Sequence, residues 1–595
     1  MSALLQQELQ QTARYFNRKE FNQVIPLCKR ILSASPLSSE AHQWLIQSYI
    51  RTNQWNNAET ALRAAERLFP SAIWPIQLKA MLFQHRGDVP AEMSQLAVLL
   101  SAQPDNLGML NRYIKLAIQK ADWEKAQASL QQYGNYAAKN DINFLKLKVF
   151  YYRQRGWLDR ALEESSALMR LISTNVSIAH EHAVLLRLNG KASEAITLLR
   201  RILSTTEHFA VHQNLANAYS DIGALSEAAE HYEKAIRLNP DYIDAYVNLS
   251  LILWEMGEKQ RYLTHFEKDD VLRSPPKRCA YINVLLNAKA YDKAITSLNE
   301  APEVKNQISG QLLYAKALRG LGLFTESYCA LRQIVEKDNS NEVLIETCIS
   351  AIEAGELKAA ENAVEKVLDR EPDNQLAKAY WHAVKKSAGQ DGYPIDKYTG
   401  KYDIFPHWNA AEKASYLSAL TAHLASLHSA IEQPINQTLE NGTQTRGHLL
   451  TSENPLIKTL KAAIDNVVLQ FMETQGLDRD RLTDGSGCPH YKGSWSVRLD
   501  GEGYHHNHIH SHGRISGVVY LALPRVAADK TKREGWLALG QPFRYEEENM
   551  SPDVFVEPAL LHCVLFRSFV WHGTIPFREK TQRMTVAFDV GEYGQ

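Results

Sequence analysis

Two rhythms of apolar and polar positions divide the chain. Through about residue 385, apolar residues recur at three- and four-residue spacings, as in GQLLYAKALRGLGLFTESYCALRQIVEKD and AGELKAAENAVEKVLDREPDN, which predicts amphipathic helices. The helices recur too. Pro36, Pro70 and Pro104 stand 34 residues apart, and Pro240 lies 136 residues beyond Pro104, four times 34. Each period predicts a helix pair closed by a proline, which cannot continue the backbone ladder. From about 386 the stretch SAGQDGYPIDKYTGKYDIFPHW is rich in Gly, Pro, Tyr and Asp and predicts a linker over 386–410. Two further helices are expected in AAEKASYLSALTAHLASLHSAI and PLIKTLKAAIDNVVLQFMETQ. After 485 the period falls to two, and SWSVRLDG, SGVVYLALP, HCVLFRSFV and RMTVAFDV predict strands bounded by turn residues. The expected chain is multidomain: an all-α repeat solenoid at 1–385, a linker, and an α+β domain at 411–595 around a β-sandwich or barrel.

The 34-residue unit resembles the TPR helix–turn–helix repeat. Its best copy, counted from Phe209 and closed by Pro240, carries Leu215, Ala216, Tyr219, Gly223, Ala228, Tyr232 and Ala235. Small Ala228 and Ala235 let the second helix approach closely, and Gly223 ends the first. The copy closing at Pro70 has Leu45, Tyr49, Ala58 and Ala65; the next is degenerate, with Lys79 and Glu92 where leucine and alanine are expected. About ten or eleven repeats are expected over 1–385. Asn214 and Asn248 share one repeat position, and Asn283 follows 35 residues on, after Pro275-Pro276. By resemblance to peptide-binding TPR superhelices, these asparagines would line the concave surface and hold a ligand's backbone amides, since a carboxamide both donates and accepts. The plain alternative is three tolerated polar residues on an exposed helix face.

Composition narrows the partners. Lys plus Arg (66) nearly cancels Asp plus Glu (67), so no basic field recruits nucleic acid. No apolar run approaches the ~18 residues that span a bilayer, and MSALLQQELQQTARYF lacks the features of a secretory signal. Six cysteines without a CxxC pair argue against a disulfide framework or thiolate zinc site, and the cytoplasm is the expected compartment.

The densest chemistry lies in GYHHNHIHSHGRISGVVYLALP, where His505, His506, His508, His510 and His512 fall within eight positions. Residues two apart on an extended chain point the same way, so His508 and His510 can converge on one ion. His572 follows in FVWHGTIPF, and Arg583 opens RMTVAFDV eleven residues later. The order HxH, SGVVYL, WHGTIPF, QRMTVAF, with GTQTRGHLL upstream, resembles the 2OG-Fe(II) oxygenase family found fused to TPR repeats. That family is related to the prolyl-hydroxylase branch of the double-stranded β-helix (jelly-roll) oxygenases, and the likeness covers roughly 440–592.

The resemblance implies Fe(II) held by His508, His510 and His572, with O₂ and 2-oxoglutarate as co-substrates and ascorbate as a stimulant. Arg583 would bind the C5 carboxylate of 2-oxoglutarate, and Tyr520 would touch it. Three protein ligands leave three positions for the bidentate oxo-acid and O₂, and a guanidinium offers a planar fork matched to a carboxylate. Trp571, Phe569 and Phe577 would keep water from the oxidant. In one respect the chain departs from the family's common pattern: His510 stands where a carboxylate is usual, so the ion keeps its full formal charge. His506, His512 and Asp500 are alternative ligands; His505 and His512 otherwise read as structural, and Arg498 and Gln444 as pocket or local structural residues.

The function these features predict is hydroxylation of a protein or peptide recruited by the solenoid's concave face. The alternatives are a TPR scaffold with an inactive oxygenase-like domain, or a hydroxylase of a small molecule or carrier-bound biosynthetic intermediate. A cupin expects glutamate where Arg514 stands and has no use for Arg583. A zinc hydrolase suits three histidines, but no helical HExxH supplies its base.

Overall fold

A computed structural model describes residues 3–435, 437–484, 486–542 and 550–592. The chain forms two compact units, Met1–Gln154 and Arg155–Gln595.

Among its described residues the first unit holds nine helices, from Ala3–Asn17 to Ile142–Gln154, each packed on its sequence neighbour. Leu45, Tyr49, Ala58 and Ala65 are buried at their repeat positions. The degenerate positions are satisfied by charge: Lys79 pairs with Glu66 at 2.8 Å, and buried Glu92 takes a two-pronged bond from Arg112 at 2.7 and 2.9 Å. A polar residue is tolerated in a helix interface when a partner meets it.

The second unit begins with helices running from Leu158–Leu171 to Gln375–Ser387. In its best repeat, Phe209–Asp221 packs on Leu225–Leu238 over buried Leu215, Ala216, Ala228 and Ala235. Helix Ile243–Glu255 packs on Leu225–Leu238 and Pro275–Asn287, but the described residues hold no regular second helix for its repeat. Turns at 259–266 replace it and bury Leu263 and Phe266 instead. Pro275–Asn287 then starts on the Pro-Pro pair, where a missing N–H costs nothing.

The strands are β1 (Thr399–Asp403), β2 (Leu439–Gln444), β3 (Tyr491–His505), β4 (Ile515–Ala522), β5 (Leu537–Leu539), β6 (Val554–Val556), β7 (His562–Arg567), β8 (His572–Thr574) and β9 (Arg583–Val590). They form an antiparallel six-stranded sheet, β1-β7-β4-β9-β3-β2, and a three-stranded sheet, β6-β5-β8. The stretch read as a linker, 386–410, therefore contributes an edge strand, because Tyr402 and its neighbours pair with β7.

Alternation decides what each face of the large sheet does. Met584, Val586, Phe588 and Val590 of β9, with Ile515, Val519 and Leu521 of β4, pack against helices Ala410–Leu427 and Pro455–Thr474. Arg583, Thr585 and Ala587 of β9, with Ser516 and Val518 of β4, line a cavity on the opposite face.

The sheet domain is docked against the helices of its own unit. Arg446 holds the buried Glu255 carboxylate with two bonds, Nε–Oε2 at 2.9 Å and Nη2–Oε1, and reaches Ser220 at 2.5 Å. Further contacts join Trp254 Nε1 to the Gln433 carbonyl (3.0 Å), Arg514 to the Asp373 carbonyl (2.7 Å) and His382 to Asp553 (3.0 Å). Repeat-turn glycines sit in this seam. Gly190 has φ 74°, and a Cβ there would stand 2.6 Å from the Thr451 carbonyl oxygen. Glycine is required twice over, for conformation and for space.

An Arg446→Met variant leaves Glu255 buried without its counter-charge, which costs about 3–5 kcal/mol. Burial already raises the Glu255 pKa against the pull of Arg446. The defect is therefore largest at neutral pH and shrinks on acidification, as Glu255 takes up its proton. Denaturant unfolding of both proteins across pH 5–8 measures this, and equal stability at pH 7 refutes it.

Candidate metal centre

His508 and His510 lie just past the end of β3, on an extended segment outside regular strand. Ile509 between them packs into the core around Tyr520 and Val564, so the two rings share the other side. His572 opens β8 and is bridged to His508 through the backbone: His508 N donates to the His572 carbonyl at 2.9 Å, and His572 N returns the bond at 3.0 Å. Sixty-four residues of chain separate these two histidines in sequence, and this backbone bridge holds them together.

One ring nitrogen from each of His508, His510 and His572 lies within 4.8 Å of the others. Their hydrogen bonds fix the tautomers. Nδ1 of His508 donates to the His506 carbonyl at 2.7 Å, Nδ1 of His572 to the Val570 carbonyl at 3.0 Å, and Nδ1 of His510 to the Asp589 carboxylate at 2.5 Å. A carbonyl only accepts, so each Nδ1 carries hydrogen and each Nε2 keeps its lone pair. Burial, reinforced by the neighbouring His510, pushes His508 down to about 3, and burial likewise holds His572 far below the usual imidazole range. Both stay neutral, as metal ligation requires. Burial also opposes charge on His510, but Asp589 outweighs it and the net shift is upward.

Arg583 lies in the same cavity, 2% exposed. Its Nε donates to the Gly535 carbonyl at 3.3 Å, and its guanidinium stands 5.2 Å from the Tyr520 ring centre. No carboxylate of the described residues offsets its charge, and burial lowers its pKa with only Tyr520 opposing. The Tyr520 hydroxyl is itself buried, with no hydrogen-bond partner other than the Arg583 guanidinium among the described residues, and burial pushes its pKa up to about 12. A buried guanidinium without a counter-ion beside a buried phenol is costly. A carboxylate-bearing ligand would satisfy both. The residues therefore fit a divalent metal at the three histidines and a dicarboxylate reaching toward Arg583.

Residues 493–589 match the family described as "Putative 2OG-Fe(II) oxygenase", and residues 216–257 match the TPR repeat. One segment of the chain is thus similar to that oxygenase family and another to the TPR repeat. The family match spans β3 to β9 apart from their outermost residues, and so includes the three histidines, Tyr520 and Arg583. Among solved structures, the chain is similar to a tetratricopeptide repeat protein from Parabacteroides merdae ATCC 43184, at 14% identity over 42% of this chain and 98% of that one, with a TM-score of 0.33. It is also similar to yeast Tom70, at 15% identity over 65% and 96%, with a TM-score of 0.28. No curated protein matches the chain.

Other expected residues of the sheet domain fall differently. His506 bonds to Glu440 at 3.1 Å, and His512 and Asp500 are exposed, so none of the three joins the cluster. His505 lines the cavity, its ring centre 5.7 Å from that of His508. Gln444 lines it too; Arg498, of opposite parity to Val497 on β3, does not. Trp571 and Phe569 do not shield the centre. Trp571 meets Tyr380 edge to face and donates to the Ala379 carbonyl at 3.0 Å, while Phe569 packs on Tyr393 and Tyr398. Trp571 precedes His572 by one residue on an extended chain and so points the other way. Phe566, 4.6 Å from His572, and Trp495, 5.8 Å from His510, supply the apolar walls, and Phe577 packs behind them with Val497.

Asp589 and Thr438 were not anticipated. Asp589 shares the parity of Arg583, Thr585 and Ala587 on β9, and that period-two relation was available as a signal. Thr438, 3.2 Å from His508 Nδ1, comes from an irregular segment and carried no signal.

The three asparagines differ in their local contacts. Asn214 Nδ2 contacts the Ala210 carbonyl (3.0 Å) and His180 (2.9 Å), and Asn283 Nδ2 donates to the Cys279 carbonyl at 3.0 Å while its residue is exposed; Asn248 is half-buried.

Proposed function

We propose that this chain is an Fe(II)- and 2-oxoglutarate-dependent hydroxylase, of the prolyl-hydroxylase-like branch, acting in the cytoplasm on a protein or peptide held by its TPR repeats. One observation carries the reading: three imidazoles clustered with their ring nitrogens close together share a cavity with a buried arginine that has no counter-ion among the described residues. In it, His508, His510 and His572 hold the metal, Arg583 binds the far carboxylate of 2-oxoglutarate, and Tyr520 donates its hydroxyl hydrogen to the same group. Iron bound there would supply hydroxylation of a substrate C–H bond by O₂, one oxygen atom ending in the product hydroxyl and the other in succinate as 2-oxoglutarate loses CO₂. Phe566, Leu537 and Trp495 exclude water around it. The six cysteines, all free, suit a reducing compartment.

A cleft of about 320 Å³ supports the polypeptide reading. It is lined by Asn283, Lys316, Arg319 and Tyr380 of the repeats and by Trp571 of the oxygenase domain, the residue before His572. Trp571 faces this cleft while His572, the next residue, faces the metal cavity, so a chain bound there lies across the β8 segment from the histidines. Mass spectrometry of cell extracts treated with the iron-loaded protein, 2-oxoglutarate and O₂ tests the assignment. Products heavier by one oxygen atom, formed with iron-dependent succinate, are expected; extracts that yield neither would end it.

The asparagines give a second test. Replacing Asn214, Asn248 and Asn283 together by alanine removes up to three hydrogen bonds to substrate, at about 0.5–1.5 kcal/mol each. Apparent substrate affinity then falls by about an order of magnitude or more, while slow 2-oxoglutarate decay without substrate is untouched. Unchanged kinetics on the identified substrate would remove the asparagines from the binding face.

A further inference from the structure

We propose that Asp589 is a positioning and charge-balancing residue for the metal: it supplies, through His510, the negative charge that a coordinating carboxylate gives where the second ligand is aspartate or glutamate. The inference rests on reading His508, His510 and His572 as ligands, and goes beyond it by assigning a role to a residue outside the cluster.

The geometry separates Asp589 from an incidental strand carboxylate. One oxygen accepts from His510 Nδ1 at 2.5 Å and the other from the Ser516 hydroxyl at 2.7 Å. Ser516 is tied in turn to Ser568 Oγ at 2.9 Å, and the Ser568 carbonyl accepts the His510 backbone N–H at 3.3 Å. Both oxygens are thus fixed, and Ser568 links the serine that holds the carboxylate to the backbone of His510. The other two histidines donate Nδ1–H to neutral carbonyls, of His506 and Val570. Among the described residues, Asp589 is therefore the one anion hydrogen-bonded to the triad. A carboxylate at Nδ1 draws the shared proton away from the ring and makes Nε2 a stronger donor. Three neutral histidines leave a divalent ion its full charge in a dry cavity. A carboxylate one ring away halves the charge of the assembly at a distance where a low dielectric screens little. The negative charge has moved outward by one residue.

Cobalt(II) alone, titrated anaerobically into the metal-free full chain against a competing chelator, tests this without any turnover. Asp589→Asn keeps an acceptor oxygen and the side-chain shape but loses the charge, and should weaken cobalt binding by about 10- to 100-fold. His510→Asp sets two carboxylates side by side and should bind poorly. His510→Asp combined with Asp589→Asn returns one carboxylate to the inner position, and should bind at least ten times more tightly than His510→Asp alone. That recovery excludes misfolding as the cause of the loss. If the wild-type chain fails to bind cobalt, the ligand reading falls and takes the inference with it. If the wild type binds and Asp589→Asn binds equally well, or if His510→Asp matches the double variant, the charge role is overturned and the ligand reading stands.

Discussion

Alanine in place of His508, His510 or His572 abolishes Fe(II)-dependent 2-oxoglutarate turnover and leaves the chain folded. Each ring contributes one lone pair to a three-nitrogen site, and two nitrogens alone hold Fe(II) too weakly to survive competition from buffer and water. The fold tolerates the loss because the neighbouring backbone carries the local structure: His508 and His572 exchange main-chain bonds that alanine keeps. The variants differ in side effects. His572 is 7% exposed beside Phe566, so its deletion leaves a cavity and a modest loss of stability. Thermal unfolding with and without metal separates the two effects. A ligand at one hundred times its Kd stabilises the wild type by about 2.7 kcal/mol, and each alanine variant should show none of that gain. Full turnover by His510→Ala would mean that another residue supplies the third ligand, although His506, His512 and Asp500 all point elsewhere.

Arg583→Met raises the KM for 2-oxoglutarate by about 10- to 100-fold, the equivalent of a charge-assisted pair of roughly 1.5–3 kcal/mol. Metal affinity stays close to that of the wild type. The same substitution leaves the ligand-free protein as stable as before, or more so, because it replaces a buried charge lacking a counter-ion with an apolar chain of similar length. A structural arginine would behave in the opposite way, losing stability on substitution and leaving KM alone. Steady-state succinate formation and unfolding of the ligand-free protein give the two readings. An unchanged KM with a destabilised fold would remove Arg583 from co-substrate binding and weaken the 2-oxoglutarate assignment itself.

Local patterns made much of this molecule legible. The 34-residue spacing of prolines, with small residues at Ala228 and Ala235, requires stacked helix pairs, because each pair has an apolar face that only a neighbour can cover. Period-two runs mark β3, β4, β7 and β9, the long strands that alternate between a helix-covered face and a cavity. The HxH pair could be read from sequence because parity is a local property of an extended chain. The short strands β1, β5, β6 and β8 could not: three to five residues hold too little pattern, and β1 lies within a Gly- and Tyr-rich stretch that resembles a linker. The same limit misdirected Trp571, whose closeness to His572 in sequence suggests a shared site. Its place on the opposite face of an extended segment sends it to the repeats instead.

What remained needed long-range contacts. The proximity of His508 and His572 comes from one backbone bridge across distant segments, and the meeting of Arg446 with Glu255 spans 191 residues. Neither leaves a trace in composition or period, since any arginine and any glutamate look alike in a sequence. Asp589 makes the point most sharply. Its parity with Arg583 was visible on the last strand, yet its role depends on where a loop 79 residues earlier presents His510. Residue type and local period set which side chains share a face. Packing of segments far apart in the chain sets which of those faces meet, because the free energy that joins them is released only when both are buried together.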